Sequence, residues 1–328
     1  MAAVAGVSRS TVSYILNGSH HQTFAPETEA KVRAAAAGLS YTPHAAARAL
    51  RKGASGIVLL ALQDLPPGGN LAKLISALTD GVRATDRSLV TLALRPGNRL
   101  TDALRDISPQ ALLEVLSLPA EDTAAAAAAS IPVLSVAAPL DGLDRAAGRL
   151  QVEHLAALGH RRLGVVTPGE SFVQAFSCAR LEAVAQAATD LSLPAPEVGV
   201  VDGVSSESIE AVAALLRRWT SAPDPITAVC GFNDVFAGMV VAAAARAGLT
   251  VPGDLSVVGI DDEPLGAMLN PTLTTVRYDF TETGVHTRDQ LHHLLDDGAP
   301  AAPIGSDSLR VIQRDSTRPP SRTSRLRS

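Results

Sequence analysis

Ala2-Ala3-Val4-Ala5-Gly6-Val7-Ser8-Arg9-Ser10-Thr11-Val12-Ser13 opens the chain with the spacing of two short helices joined by a tight turn. The small Ala2 lets the helices approach each other. Gly6, four residues on, can take the positive φ that such a turn requires. Ser8 is placed to N-cap the second helix, and Val12 returns to the buried side one turn later. Tyr14-Ile15-Leu16-Asn17-Gly18-Ser19 then ends that helix on an Asn-Gly stop. This is a helix-turn-helix pattern, and it implies both a partner, DNA, and a geometry for meeting it.

Working outward, Gly18 to Ala25 reads as a polar loop. Pro26 suits the first turn of a third helix, with Glu27 and Glu29 at its positive end. That helix is expected to run to about Ala37, with Val32 on its buried face. Pro43 opens a short Ala/Arg helix, Ala45 to Arg51, which Gly53-Ala54-Ser55-Gly56 breaks. From Ile57 the texture changes. Ile57-Val58-Leu59-Leu60-Ala61-Leu62 is wholly apolar, as expected of a strand covered on both faces of a parallel sheet. Strand-like runs follow at Leu89–Leu94, Val133–Val136, Leu163–Val166, Val198–Val201, Ala228–Gly231 and Leu255–Ile260. Helix-like stretches are expected at Leu71–Ala84, Leu150–Leu158, Cys178–Ala188, Ser208–Trp219 and Phe236–Ala247. This alternation predicts parallel α/β layers behind a small helical head.

Composition narrows the class. With 46% hydrophobic and 19% charged residues in 328, the chain is ordinary for a globular protein of two or three domains. No unbroken apolar stretch of ~20 residues predicts a membrane span, and no basic-then-apolar start predicts a signal peptide. The only cysteines are Cys178 and Cys230. Two thiols without an export signal fit a reduced cytosol, so a cytoplasmic location is expected. No His/Cys cluster has zinc-ligand spacing; His20-His21 is the nearest pair and sits in the polar loop, so neither metal nor cofactor is expected. The net charge of −5 hides a split. Arg9, Lys31, Arg33, Arg48, Arg51 and Lys52 face only Glu27 and Glu29 in residues 1–56, a net +4, which leaves −9 for the rest. A basic head on an acidic body is the pattern expected when only the head meets phosphate.

The pattern Ala5-Gly6-Val7-Ser8-x-x-Thr11-Val12-Ser13-x-x-Leu16-Asn17 resembles the lactose-repressor (LacI/GalR) family of transcriptional regulators. So do Pro26-Glu27-Thr28 with Val32, Leu39-Ser40-Tyr41-Thr42-Pro43, and Ala47-x-x-Leu50. In the body, the resemblance continues through Val152-Glu153-His154-Leu155-x-x-Leu158-Gly159-His160, Phe232-Asn233-Asp234, Val257-Val258-Gly259-x-Asp261-Asp262 and Leu273-Thr274-Thr275-Val276. It implies an all-α helix-turn-helix head with a hinge helix, followed by a two-lobed α/β effector domain like the periplasmic sugar-binding proteins. The expected division is a head at 1–43, a hinge at 44–55 and a ligand-binding and dimerisation domain at 56–317. Its first lobe would comprise about 56–158 and 279–305, and its second about 159–278 and 306–317. Residues from Arg318 are expected to be unstructured. That tail lacks leucine heptads, so no tetramerisation coiled coil is expected, and the resemblance implies a homodimer.

The resemblance also implies site residues. The first, second and sixth residues of the second helix, Arg9, Ser10 and Tyr14, would face base edges. Arg9 can fork onto guanine or contact phosphate instead, and Tyr14 can read a base or pack on the helix. Thr11, Ser13 and Asn17 are expected on phosphate, where they set register. In the hinge, Leu50 would wedge into the minor groove and Ala47 would meet its dimer mate. Arg48 and Arg51 would lie on phosphate; an ordinary linker is the other reading of Leu50. For the effector, Arg180, Asn233 and Asp261 match recurring polar contacts, and Gln63, Phe172 and Tyr278 occupy similar positions. Asp261 could instead cap a neighbouring loop.

Two departures stand out. The family's Arg-x-x-Gly-aromatic is here Arg180-Leu181-Glu182-Ala183-Val184, and no aromatic lies near Ser206. The expected partners are double-stranded operator DNA and a small-molecule effector, by default a sugar, though this pocket suits something smaller or less ring-like. The alternative is a cytoplasmic ligand sensor whose shortened head no longer holds DNA. An α/β enzyme is disfavoured, because no Gly-rich phosphate loop or nucleophile elbow is present. Met1 stands where the family has valine inside the first helix, so further in-frame residues are expected upstream.

Overall fold

The computed structural model describes residues 1–16, 23–39, 55–63, 69–95, 99–169, 174–296, 298–302, 304 and 308–321. Two compact units emerge, Met1–Ser55 and Gly56–Ser328.

In the first unit, α1 (Ala2–Ala5) ends at Gly6, whose φ of 67° is the left-handed turn expected of it. The helix α2 (Arg9–Leu16) starts on the Ser8 hydroxyl, which accepts from the Thr11 backbone N–H at 3.0 Å. The helix α3 (Pro26–Gly38) begins with Pro26, and Glu27 and Glu29 lie in its first turn. Ala5, Ile15, Val32 and Ala35 form the core, flanked by half-buried Val7, Val12, Leu16 and Phe24.

The second unit is built on two sheets. The first has the order β2-β1-β3-β4: β1 (Ile57–Leu62), β2 (Ser88–Ala93), β3 (Ala111–Glu114) and β4 (Val133–Ser135), all parallel. Five of the six residues of β1 are buried. Full burial of an aliphatic side chain contributes about 1.5–3 kcal/mol, so this strand anchors the layer. Val58, Leu60 and Leu62 pack with Leu78 and Val82 on one face. Leu59 and Ala61 pack with Leu100, Leu104 and Leu112 on the other. The helices of this half are α4 (Gly69–Arg83), α5 (Leu100–Ile107) and α6 (Ala120–Ala128). The sequence patterns above missed α5, α6 and β3. Each is short, and six of the nine residues of α6 are alanine, which gives no apolar stripe to read.

The helix α7 (Ala137–Ala157) leads to the second sheet. The order there is β10-β9-β8-β7-β5-β6: β5 (Leu163–Pro168), β6 (Glu197–Val201), β7 (Ala228–Gly231), β8 (Ser256–Ile260), β9 (Thr274–Tyr278) and β10 (Leu309–Ile312). Among the described pairings of this sheet, β9–β10 alone is antiparallel. The helices α8 (Gln174–Asp190), α9 (Ser206–Thr220), α10 (Asp234–Arg246) and α11 (Pro264–Met268) connect its strands. After β9 the chain returns to the first half, where α12 (Thr281–Asp296) crosses α4. The crossing point is two glycines. A Cβ on Gly81 would collide with the Gly284 carbonyl, and one on Gly284 with the Ala77 carbonyl.

The stretch expected to be unstructured from Arg318 is in part ordered. The Arg318 carbonyl accepts from the His160 ring at 2.8 Å and from the Ser256 hydroxyl at 3.1 Å. Arg318 and Ser321 both donate to the Gly253 carbonyl. These polar anchors substitute for the apolar residues whose scarcity suggested disorder.

Candidate DNA-binding helix and effector site

In α2 the buried side is Ile15, with Val12 and Leu16 beside it, so the remaining positions face outward. Arg9, Ser10, Ser13 and Tyr14 are exposed, Tyr14 by 44%. The Tyr14 ring stacks on Phe24 with centroids 6.5 Å apart, which fixes its direction and leaves its edge open. The hydroxyls of Ser10 and Thr11 lie 2.7 and 2.8 Å from that of Ser8. Arg9 makes no ion pair among the described residues. Asn17, Ala47, Arg48, Leu50 and Arg51 lie outside the described residues, as do Phe172 and the His20-His21 pair.

In the second unit the polar residues converge where the two sheets meet. Arg180 projects from α8 and is nearly enclosed. Its Nε and Nη2 donate to one oxygen of Asp144, on α7, at 2.9 and 2.7 Å. Its Nη1 donates to the Phe232 carbonyl at 2.8 Å, and the guanidinium lies 4.6 Å from the Phe232 ring centre. The Tyr278 hydroxyl donates to the same Asp144 oxygen at 2.6 Å. Asp261, at the end of β8, stands 3.9 Å from Arg180 Nη2 and accepts from the Asn70 amide at 2.8 Å. The end of β8 is where an open α/β sheet presents its ligands.

Burial sets the electrostatics. It opposes the charge of Arg180, but Asp144, Tyr278 and Asp261 around it more than offset this and raise its pKa. Asp261 is pushed up to about 7 by burial, against the pull of Arg180 and with the push of Asp234 and Asp144. Burial likewise lifts Asp234 to about 6, although it accepts from the Thr275 hydroxyl at 2.6 Å and the Glu263 N–H at 2.7 Å. The site therefore holds a fixed cation beside a carboxyl that titrates near neutrality, suited to neutral polar groups that donate and accept.

Of the expected effector residues, Arg180, Asp261 and Tyr278 come together. Asn233 stands at the head of α10, where its side-chain Oδ1 accepts from the Phe236 N–H at 3.1 Å and so caps the helix. Gln63 is engaged elsewhere, donating to the Ser117 carbonyl at 2.8 Å. Sequence reading missed Asp144, Asn70 and Lys73. Asp144 preceded the stretch read as helix from Leu150, so nothing marked it as facing Arg180. A groove of about 700 Å³ lies between α4 and α12, lined by Lys73, Asp80, Arg277, Tyr278, Asp279 and Arg288 among others. Tyr278 and Lys73 border both this groove and the convergent side chains, whereas Arg180, Asn233 and Asp261 do not line it. Among the described residues no His, Cys, Asp and Glu side chains cluster to hold a metal, and no helix is long and apolar enough to cross a membrane.

A helix-turn-helix in one unit and a two-sheet α/β unit with a buried polar site in the other define a ligand-responsive, DNA-binding transcriptional regulator. Residues 1–44 match the model for bacterial regulatory proteins of the lacI family, and residues 152–317 match the periplasmic binding protein-like domain. The HTH-type transcriptional regulator MalR of Streptomyces coelicolor is 33% identical over 299 residues, covering 84% of this chain and 83% of that protein. A crystal structure of the Lac repressor dimer bound to operator and the anti-inducer ONPF is similar in fold, with a TM-score of 0.71 at 24% identity over 97% of each chain. A complex of the transcriptional regulator CelR with cellobiose aligns with a TM-score of 0.63 at 21% identity, over 96% of this chain and 98% of that one. The chain belongs to the LacI family of bacterial regulatory proteins.

Proposed function

We propose that this protein is a cytoplasmic repressor that binds a pseudo-palindromic operator as a homodimer and is switched by a small neutral polyhydroxylated molecule. The observation that carries the effector half is the enclosed group of Arg180, Asp144, Tyr278 and Asp261 at the meeting of the two sheets. The CelR complex with cellobiose, on the same fold, supports a sugar as the default. The Lac repressor dimer on its operator supports the dimeric DNA complex.

In this reading residues 1–43 are the head, 44–55 the hinge and 56–317 the effector domain. Arg9, Ser10 and Tyr14 read base edges, while Thr11, Ser13 and Asn17 set register on phosphate. Ala47 and Leu50 form the minor-groove wedge, flanked by Arg48 and Arg51. Arg180, Asn233, Asp261 and Tyr278 hold the effector, with Gln63 and Phe172 at the margin. Effector binding shifts a two-state equilibrium of the effector domain, and operator affinity follows by linkage.

The test is selection of bound sequences from a random duplex library, followed by competition with a panel of neutral mono- and disaccharides. Recovery of an inverted repeat whose binding changes with one of the sugars is the expected result. Recovery of no sequence preference would remove the operator half, and indifference to every sugar would remove the effector half.

A further inference from the structure

Asn70 lies in the first turn of α4, on the first sheet's side of the effector site. Its Nδ2 donates to Asp261 Oδ1 at 2.8 Å. One turn on, Lys73 Nζ donates to the Asp261 carbonyl at 2.9 Å and to that of Asp262 at 3.4 Å. The first-sheet helix thus grips the end of β8 by both side chain and backbone. Asp261 and Asp262 have φ values of 110° and 50°, in the region L-residues rarely adopt. Strain of this kind persists where surrounding contacts hold it, and it gathers at binding sites.

The other end of the Asn70 amide is the informative one. Its Oδ1 is buried and has no hydrogen-bond partner among the described residues. A buried amide oxygen in that state requires an explanation, and a ligand donor is one of the few available. The neighbouring groups are already engaged. The Arg180 fork is held by Asp144 and the Phe232 carbonyl, Gln63 Nε2 by Ser117, and Asn233 Oδ1 by Phe236. Among the described residues, Asn70 Oδ1 is the unpartnered buried acceptor that α4 brings to this group.

We infer that Asn70 is an effector-contacting residue, and that its bond to Asp261 is the one an effector hydroxyl replaces. This rests on the effector reading above. A hydroxyl donating to Asn70 Oδ1 and a neighbouring one donating to Asp261 Oδ1 would satisfy both groups. The freed Nδ2 then donates to an effector oxygen. A single amide so placed reads the presence of one particular hydroxyl, because an analogue lacking it leaves the buried oxygen unpaired again.

The experiment uses the full chain and its selected operator. Release is titrated with galactose, maltose and cellobiose, and then with the monodeoxy analogues of each sugar that acts. Wild type and Asn70→Ala are compared, with Asn70→Ser as a second variant should the first not fold. Removal of one hydroxyl is expected to weaken the wild-type response at least about tenfold and that of the variant less than about twofold. A purely structural role for Asn70 would not produce such a coupling to one hydroxyl. Equal losses for every analogue in both proteins overturn the inference and leave the effector reading standing. A wild type that answers none of the sugars overturns the effector reading, and this inference with it.

Discussion

Asp144 and Arg180 form the central pair of the buried polar group in the second unit: one carboxylate oxygen on α7 accepts two guanidinium N–H groups from α8 and the Tyr278 hydroxyl besides. Their side chains are only 6% and 12% exposed. Replacing Asp144 by Ala leaves a buried cation without its counter-charge, which typically costs about 3–5 kcal/mol. Denaturant unfolding of Asp144→Ala is expected to show a loss of that order. A change below about 1 kcal/mol would mean that water reaches Arg180 and screens it.

Asp261 also makes stability depend on pH. Its pKa in the folded chain is about 7, above the ordinary carboxylate value near 4. The stabilising share of such a raised group is fully present below the unfolded pKa and is lost as pH rises toward the folded one. Asp261→Asn removes this dependence. Its stability advantage over wild type should therefore grow between about pH 4 and about pH 7 and level off above. A difference that is flat across this window, read from melting at several pH values, would place Asp261 in solvent.

For operator reading, Arg9 extends from the first turn of α2 with no ion-pair partner among the described residues. If it forks onto guanine, Arg9→Ala relaxes preference at one base pair per half-site at a cost of about 1–3 kcal/mol there. Binding to a library of operator variants decides it. Uniform weakening across all sequences, with a shallower salt dependence, would assign Arg9 to phosphate.

The crossing of α4 and α12 leaves no room for a side chain at Gly81. Gly81→Ala is expected to part the helices and lower stability by about 1–3 kcal/mol through overpacking. Because α4 carries Asn70 and Lys73, the same variant should also alter the effector response. Unchanged melting would mean that the helices separate without cost.

Much of this was legible in the sequence. The turn at Gly6, the Ser8 cap and the start of α3 at Pro26 are local: each depends on backbone freedom or on a hydrogen bond within three residues. The buried strands β1 and β8 were readable because a wholly apolar run has one stable place in a parallel sheet. Arg180, Asp261 and Tyr278 were singled out by resemblance, and Arg180 stands beside both of the others. Asp144 and Asn70 were not found. Asp144 is 36 residues from Arg180, and Asn70 is 191 from Asp261. No period or spacing links such pairs.

By itself, then, the sequence determined the helix-turn-helix, the alternation of strands and helices and the family, all of which rest on short-range sterics and apolar patterning. Only the tertiary structure decided which acid neutralises Arg180, which amide faces Asp261 and which buried oxygen is left waiting for a donor. Those outcomes depend on how two sheets and their helices pack, and burial then sets the charge state and the hydrogen bonds of every polar group caught between them.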